Sequence, residues 1–134
     1  MEKEPSGMSC KDLSKFKILV ADDSRPVRLV LKTYLAQLGF EPTFVENGTE
    51  ALKQLTDEKF DVAFMDVHMP EINGTEVVSK IRNKGITIPV FAMTTGDDEE
   101  MLTKCLDCGY NSFLLKPIIK TELTKIISKL TDPY

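Results

Sequence analysis

A chain of 134 residues, 42% hydrophobic and 28% charged, suits one compact soluble domain with a sizeable core. Its net charge of −4 disfavours a dedicated nucleic-acid surface, which needs a basic patch, and no apolar run approaches the ~20 residues of a membrane span. Cys10, Cys105 and Cys108 are too few for a disulfide framework and the opening residues carry no apolar signal core, so a reducing, cytoplasmic setting is expected.

Residues 1–15 are polar, with Pro5 and Gly7 and no hydrophobic period, and are expected to form a flexible tail before one domain over residues 16–134. Lys17 to Ala21 is an apolar run that ends in Asp22-Asp23-Ser24, and it is predicted as the first strand. Ser24 or Asp23 is placed to cap the helix that follows, with Pro26 in its first turn. Val27, Val30, Leu31, Tyr34, Leu35 and Leu38 recur at helical spacing, and Gly39 ends that helix. Pro42 to Val45 is a short second strand, and Asn47-Gly48 opens a second helix carried by Ala51, Leu52 and Leu55.

Val62 to Met65 is a third strand that delivers Asp66 to its end, where Met69-Pro70 stops it. Gly74 to Arg82 is a third helix with Val77, Val78 and Ile81 inward. Ile88 to Met93 is the fourth strand, closed by Thr94-Thr95-Gly96. Asp97 to Glu100 starts a fourth helix, where acidic groups favour the positive helix end. Ser112 to Leu115 is the fifth strand, ended by Lys116-Pro117, and a last helix runs from Lys120 to Leu130.

Strands alternating with helices predict an α/β fold, a five-stranded parallel sheet with helices on both faces. Five such units fit the flavodoxin-like (βα)5 doubly wound arrangement with strand order 2-1-3-4-5. In that sheet Asp22, Asp23, Asp66, Thr94 and Lys116 share the carboxyl edge. Buried strands do not carry aspartate for packing, because desolvating a carboxylate is costly. Three carboxylates beside one ammonium repel unless neutralised, and a hard cation such as Mg²⁺ (or Mn²⁺) does so while keeping waters to exchange for phosphate. Asp66 then reads as a nucleophile toward phosphorus, with the metal, Lys116 and Thr94 stabilising the transferring oxygens.

Four segments together resemble the receiver domain of two-component response regulators: Asp22-Asp23, Asp66-Val67-His68-Met69-Pro70 with Gly74 downstream, Met93-Thr94-Thr95, and Lys116-Pro117. The resemblance covers about residues 17–130. It implies that Asp66 is the phosphoacceptor, and that Asp23, Asp66 and the backbone carbonyl of His68 ligate the metal. Asp22 is implied to act mainly through metal-bound water. It also implies that Thr94 and Phe113 are the switch pair, that Lys116 pairs with the phosphoryl group, and that the Lys116–Pro117 bond is cis. Phosphorylation is expected to draw Thr94 inward and let the Phe113 ring turn in. The face of the fourth helix, fifth strand and fifth helix would then change shape for a downstream protein.

The only histidine, His68, lies in the site loop, so phosphate is expected from a histidine kinase, a histidine phosphotransfer protein or a small acyl phosphate. No output domain follows the last helix, so output is expected through protein contact, or the chain is a receiver cut from a hybrid kinase. The expected role is a signalling phosphoacceptor, not an enzyme. An aspartate-nucleophile phosphatase is the alternative, disfavoured because His68 stands where such enzymes need a second acid. A flavin module would want a hydroxyl- and glycine-rich loop after the first strand, where this chain is acidic.

Taken singly, each motif has a plainer structural reading: a helix cap, a strand-ending turn, a surface lysine. Their joint order at strand ends favours the functional one. His68 is a poor side-chain metal ligand without Cys or His partners, and is expected to tune acyl-phosphate lifetime instead. Cys105 and Cys108, at a helix end, are expected to be structural.

Overall fold

A computed structural model describes residues 16–131; the expected tail over 1–15 lies outside the described residues. The elements are β1 (Ile18–Ala21), α1 (Arg25–Gln37), β2 (Thr43–Val45), α2 (Gly48–Asp57), β3 (Val62–Asp66), α3 (Gly74–Asn83), β4 (Val90–Thr94), α4 (Glu99–Cys108), β5 (Ser112–Leu115) and α5 (Lys120–Thr131). The five strands form one parallel sheet in the order β2-β1-β3-β4-β5, as expected.

Side chains alternate across a strand, so each strand feeds two cores. Leu19, Ala21, Ala63, Met65 and Ala92 face α2, α3 and α4, meeting Ala51, Leu55, Val77, Val78, Ile81 and Cys105. Ile18, Val20, Val62, Phe64, Met93 and Leu114 face α1 and α5, meeting Leu31, Leu35, Leu123 and Ile127. Every residue of β1 and β3 is buried, because these strands lie inside the sheet with helices on both faces. Asp66 is therefore carried on an apolar strand that has no other way to run.

Several boundaries differ from the sequence reading, each for a local reason. β4 starts at Val90 because Pro89 has no N–H for the ladder, although its carbonyl accepts from Ala63 N–H at 3.0 Å; it extends to Thr94, which pairs with Leu115. α4 starts at Glu99, because the Asp98 carboxylate accepts the Met101 N–H at 3.2 Å and takes the cap. Ser24 occupies the cap position of α1, yet its side chain makes no cap bond; its N–H instead donates to Asp22 Oδ1 at 2.8 Å. Val30, at core spacing, lies on the exposed side of α1. Asn47 caps α2 through Glu50 N–H at 2.8 Å. A Cβ on Gly48 would run into the main chain of Ile72, so glycine lets the β3–α3 loop lie on the first turn of α2.

Candidate functional site

At the carboxyl edge of the sheet, β1 delivers Asp22 and Asp23, β3 ends on Asp66, β4 ends on Thr94 and Lys116 follows β5. Carboxylate oxygens of Asp22, Asp23 and Asp66 all lie within 4.8 Å of one another. Asp22 is fully buried, Asp66 is 9% exposed, and Asp23 faces solvent. Lys116 Nζ stands 3.1 Å from Asp22 Oδ2 and 3.5 Å from Asp66 Oδ1.

The pocket is held by its surroundings. Asp22 Oδ1 accepts the Ser24 N–H, and the Asp22 carbonyl accepts Arg28 Nη1 at 2.8 Å. Arg28 also reaches Glu46 at 3.5 Å, so α1 and the turn after β2 both fix the end of β1. The Lys116 N–H donates to the Thr94 carbonyl at 2.7 Å, which keeps hydroxyl and ammonium on adjacent strand ends. Thr94 Oγ1 accepts the Gly96 N–H at 3.3 Å. The Lys116–Pro117 peptide is cis. Phe113 pairs with Ala92 in register, lies half-buried on the α2–α4 side, and so shares a sheet face with Thr94. His68 is exposed in the loop after Asp66.

Burial pushes the Asp66 carboxyl above its usual value, and the neighbouring Asp22 adds to that; Lys116 and a backbone hydrogen bond from His68 offset part of it. Burial pulls the Lys116 ammonium down, but Asp66 and Asp22 outweigh it and the net shift is upward. Lys116 therefore stays charged. One cation cannot satisfy the pocket, however. Asp22 Oδ2 is buried without a well-formed hydrogen bond and rests on its ion pair with Lys116 Nζ at 3.1 Å. A buried carboxylate oxygen without a well-formed hydrogen bond, two further carboxylates and a solvent-open side at Asp23 fit a hard divalent cation with oxygen ligands.

Each residue expected at the site edge is found there, and several neighbours went unremarked in the sequence. Arg28 reaches the site from the start of α1 and Tyr110 from the connection between α4 and β5, and no spacing signal marks them. Cys105 and Cys108 lie away from the pocket at the end of α4; burial pushes the Cys105 thiol up to about 11 and the Cys108 thiol upward. Both are thus poor nucleophiles, in keeping with a structural role. Among the described residues no helix is long and apolar enough to cross a membrane.

The family model for the response regulator receiver domain matches residues 18–128. The sensor protein EvgS of Escherichia coli O157:H7 is 33% identical over 116 residues; the match covers 84% of this chain but only 10% of that much longer relative. The Francisella response regulator 1452 receiver domain superposes with a TM-score of 0.79 at 30% identity, over 86% of this chain and 95% of that one. The receiver domain of the sensor histidine kinase PA1611 of Pseudomonas aeruginosa PAO1 gives a TM-score of 0.79 at 27% identity, over 87% of this chain and 97% of that one; a magnesium ion is coordinated in its active-site cleft. By its sequence match and its fold, this chain belongs to the response regulator receiver domain family of two-component signalling proteins.

Proposed function

We propose that Asp66 accepts a phosphoryl group from a phosphohistidine of a histidine kinase or phosphotransfer protein in a Mg²⁺-dependent reaction. The observation that carries this reading is Lys116 Nζ between Asp22 and Asp66, the one ammonium in a pocket of three carboxylates that leaves the buried Asp22 Oδ2 without a well-formed hydrogen bond. An Asp66 oxygen attacks phosphorus, the P–N bond to the donor imidazole breaks, and its electron pair leaves on nitrogen. Asp23, Asp66 and the His68 carbonyl would hold the cation, with Asp22 acting through its water; when bound, Mg²⁺ neutralises the approaching phosphoryl oxygens. Lys116 supplies a fixed positive charge to the same oxygens, and Thr94 supplies a hydroxyl.

Loading Asp66 draws Thr94 toward the phosphoryl oxygens and frees the sheet face it shares with Phe113. Beside Phe113 lies a groove of about 700 Å³, lined by Leu102, Leu115, Ile119, Glu122 and Ile126. Leu115 and Ile119 are more than half exposed there, which suits a downstream protein docking on α4, β5 and α5. The test is intact mass after incubation with Mg²⁺ and acetyl phosphate. The expected result is a gain of one phosphoryl group, absent in Asp66→Asn. Sustained turnover of a phosphomonoester, with no stable mass gain, would instead establish the phosphatase alternative.

A further inference from the structure

Tyr110 lies between the end of α4 and the start of β5. It is 3% exposed, and its hydroxyl is buried with no hydrogen-bond partner among the described residues. Buried tyrosine hydroxyls ordinarily find a partner, so an orphan at this position calls for a physical reason. The segment that carries it is fixed. Tyr110 N–H donates to Cys105 O at 3.0 Å and Asn111 N–H to Val90 O at 2.8 Å. Asn111 Oδ1 accepts Val90 N–H at 2.8 Å and Arg82 Nη2 at 2.9 Å, and Arg82 also donates twice to the Gly109 carbonyl. With its backbone clamped on both sides and its ring buried, the phenol is held where it stands.

Its neighbours narrow the choice further. Cys105 and Cys108 both keep their protons, and the Cys108 thiol already donates to the Cys105 carbonyl. On the other side stands Gly74, the first residue of α3. A Cβ there would strike both the Tyr110 hydroxyl and the main-chain carbonyl of Asp66. Glycine thus opens a window through which the phenol faces the peptide of the acceptor residue. Gly74 N–H donates to Val67 O at 2.8 Å, so the chain just after Asp66 is tied to the same window.

Resting on the reading of Asp66 as phosphoacceptor, we propose that Tyr110 is a positioning residue: its hydroxyl closes a hydrogen bond onto the Asp66 main-chain carbonyl when the acceptor is loaded. The resting state leaves the hydroxyl unpaired, whereas the loaded state gains a bond. Such a difference between states is what allows a ligand to shift an equilibrium. The end of β3 needs only a small displacement, since both oxygens already crowd one gap too narrow for a methyl group. The bond ties the α4–β5 connection to the state of Asp66 from the backbone side, separately from Thr94 and Phe113.

The experiment compares wild type with Tyr110→Phe, which keeps the ring. Beryllofluoride with Mg²⁺ serves as a reversible phosphoryl probe of the full chain, followed by thermal shift and titration. The unloaded variant is expected to melt at or above the wild-type temperature, since it loses no bond. Its beryllofluoride affinity is expected to fall about fivefold, the equivalent of one net hydrogen bond. An unchanged affinity, or an unloaded variant that melts several degrees lower, overturns the role of Tyr110 while leaving Asp66 untouched. A wild type that neither binds the probe nor gains phosphoryl mass overturns the reading of Asp66 and this one with it.

Discussion

Replacing Asp66 by asparagine tests the electrostatics of the pocket apart from its chemistry. In the metal-free protein the Asp66 carboxylate feels Lys116 at 3.5 Å, an attraction of about 5 kcal/mol at an effective dielectric of about 20. Asp22, within 4.8 Å, repels it by at least about 3 kcal/mol on the same scale, and exposed Asp23 adds a screened remainder. The pair terms nearly cancel, so burial of the carboxylate decides the sign, and its upward pKa shift has that cause first. Asp66→Asn is therefore expected to stabilise the metal-free protein at neutral pH by about 1 to 2 kcal/mol, a rise of roughly 4 °C per kcal/mol. A carboxyl whose folded pKa exceeds its unfolded value binds more protons when folded, so wild-type stability falls as pH rises through that window. The gap between variant and wild type should be absent below the ordinary value of 3.8 and open as pH rises above it. Excess Mg²⁺ should close or reverse it, because only the wild type retains all three carboxylates. Urea titrations at acid and neutral pH, in EDTA and in Mg²⁺, supply the readout. An Asp66→Asn protein less stable than wild type in EDTA at neutral pH would refute the reasoning.

Three further outcomes are expected. Lys116→Met leaves fully buried Asp22 without its cation and should cost about 3 kcal/mol in EDTA, with Mg²⁺ restoring a larger part of stability than it adds to wild type; equal Mg²⁺ stabilisation of both proteins in urea melts would contradict this. Gly74→Ala places a methyl group against the Asp66 carbonyl and the Tyr110 hydroxyl and should cost about 2 to 3 kcal/mol of unfolding free energy, with slower phosphorylation by acetyl phosphate. Substituting His68, which is exposed beside the acceptor, should change the rate at which the phosphoryl group is lost while the mass gain itself survives; an unchanged lifetime in a decay series followed by mass counts against it.

The architecture was legible because its signals are local. Five apolar runs, each closed by a turn or an acidic pair, imply parallel strands, and only a few right-handed windings accommodate them. Asp22, Asp66, Thr94 and Lys116 were legible for the same reason: a polar residue ending a buried strand has its position set by the strand. Boundaries moved where side-chain chemistry competes with pattern. Pro89 could not join the ladder, Asp98 took the cap and moved the start of α4 to Glu99, and the cap expected from Ser24 gave way to a bond from its N–H to Asp22.

The sequence by itself determined which residues stand at the carboxyl edge, since backbone hydrogen bonding and hydrophobic period act over a few residues and leave their trace in spacing. Tertiary structure alone decided that Lys116 reaches both Asp22 and Asp66, that Arg28 grips the carbonyl of Asp22, and that Tyr110 looks onto Asp66 past Gly74. Most of those contacts join segments far apart in the chain, and the energies of all of them depend on burial and distances of a few ångströms, which no pattern of neighbouring residues records.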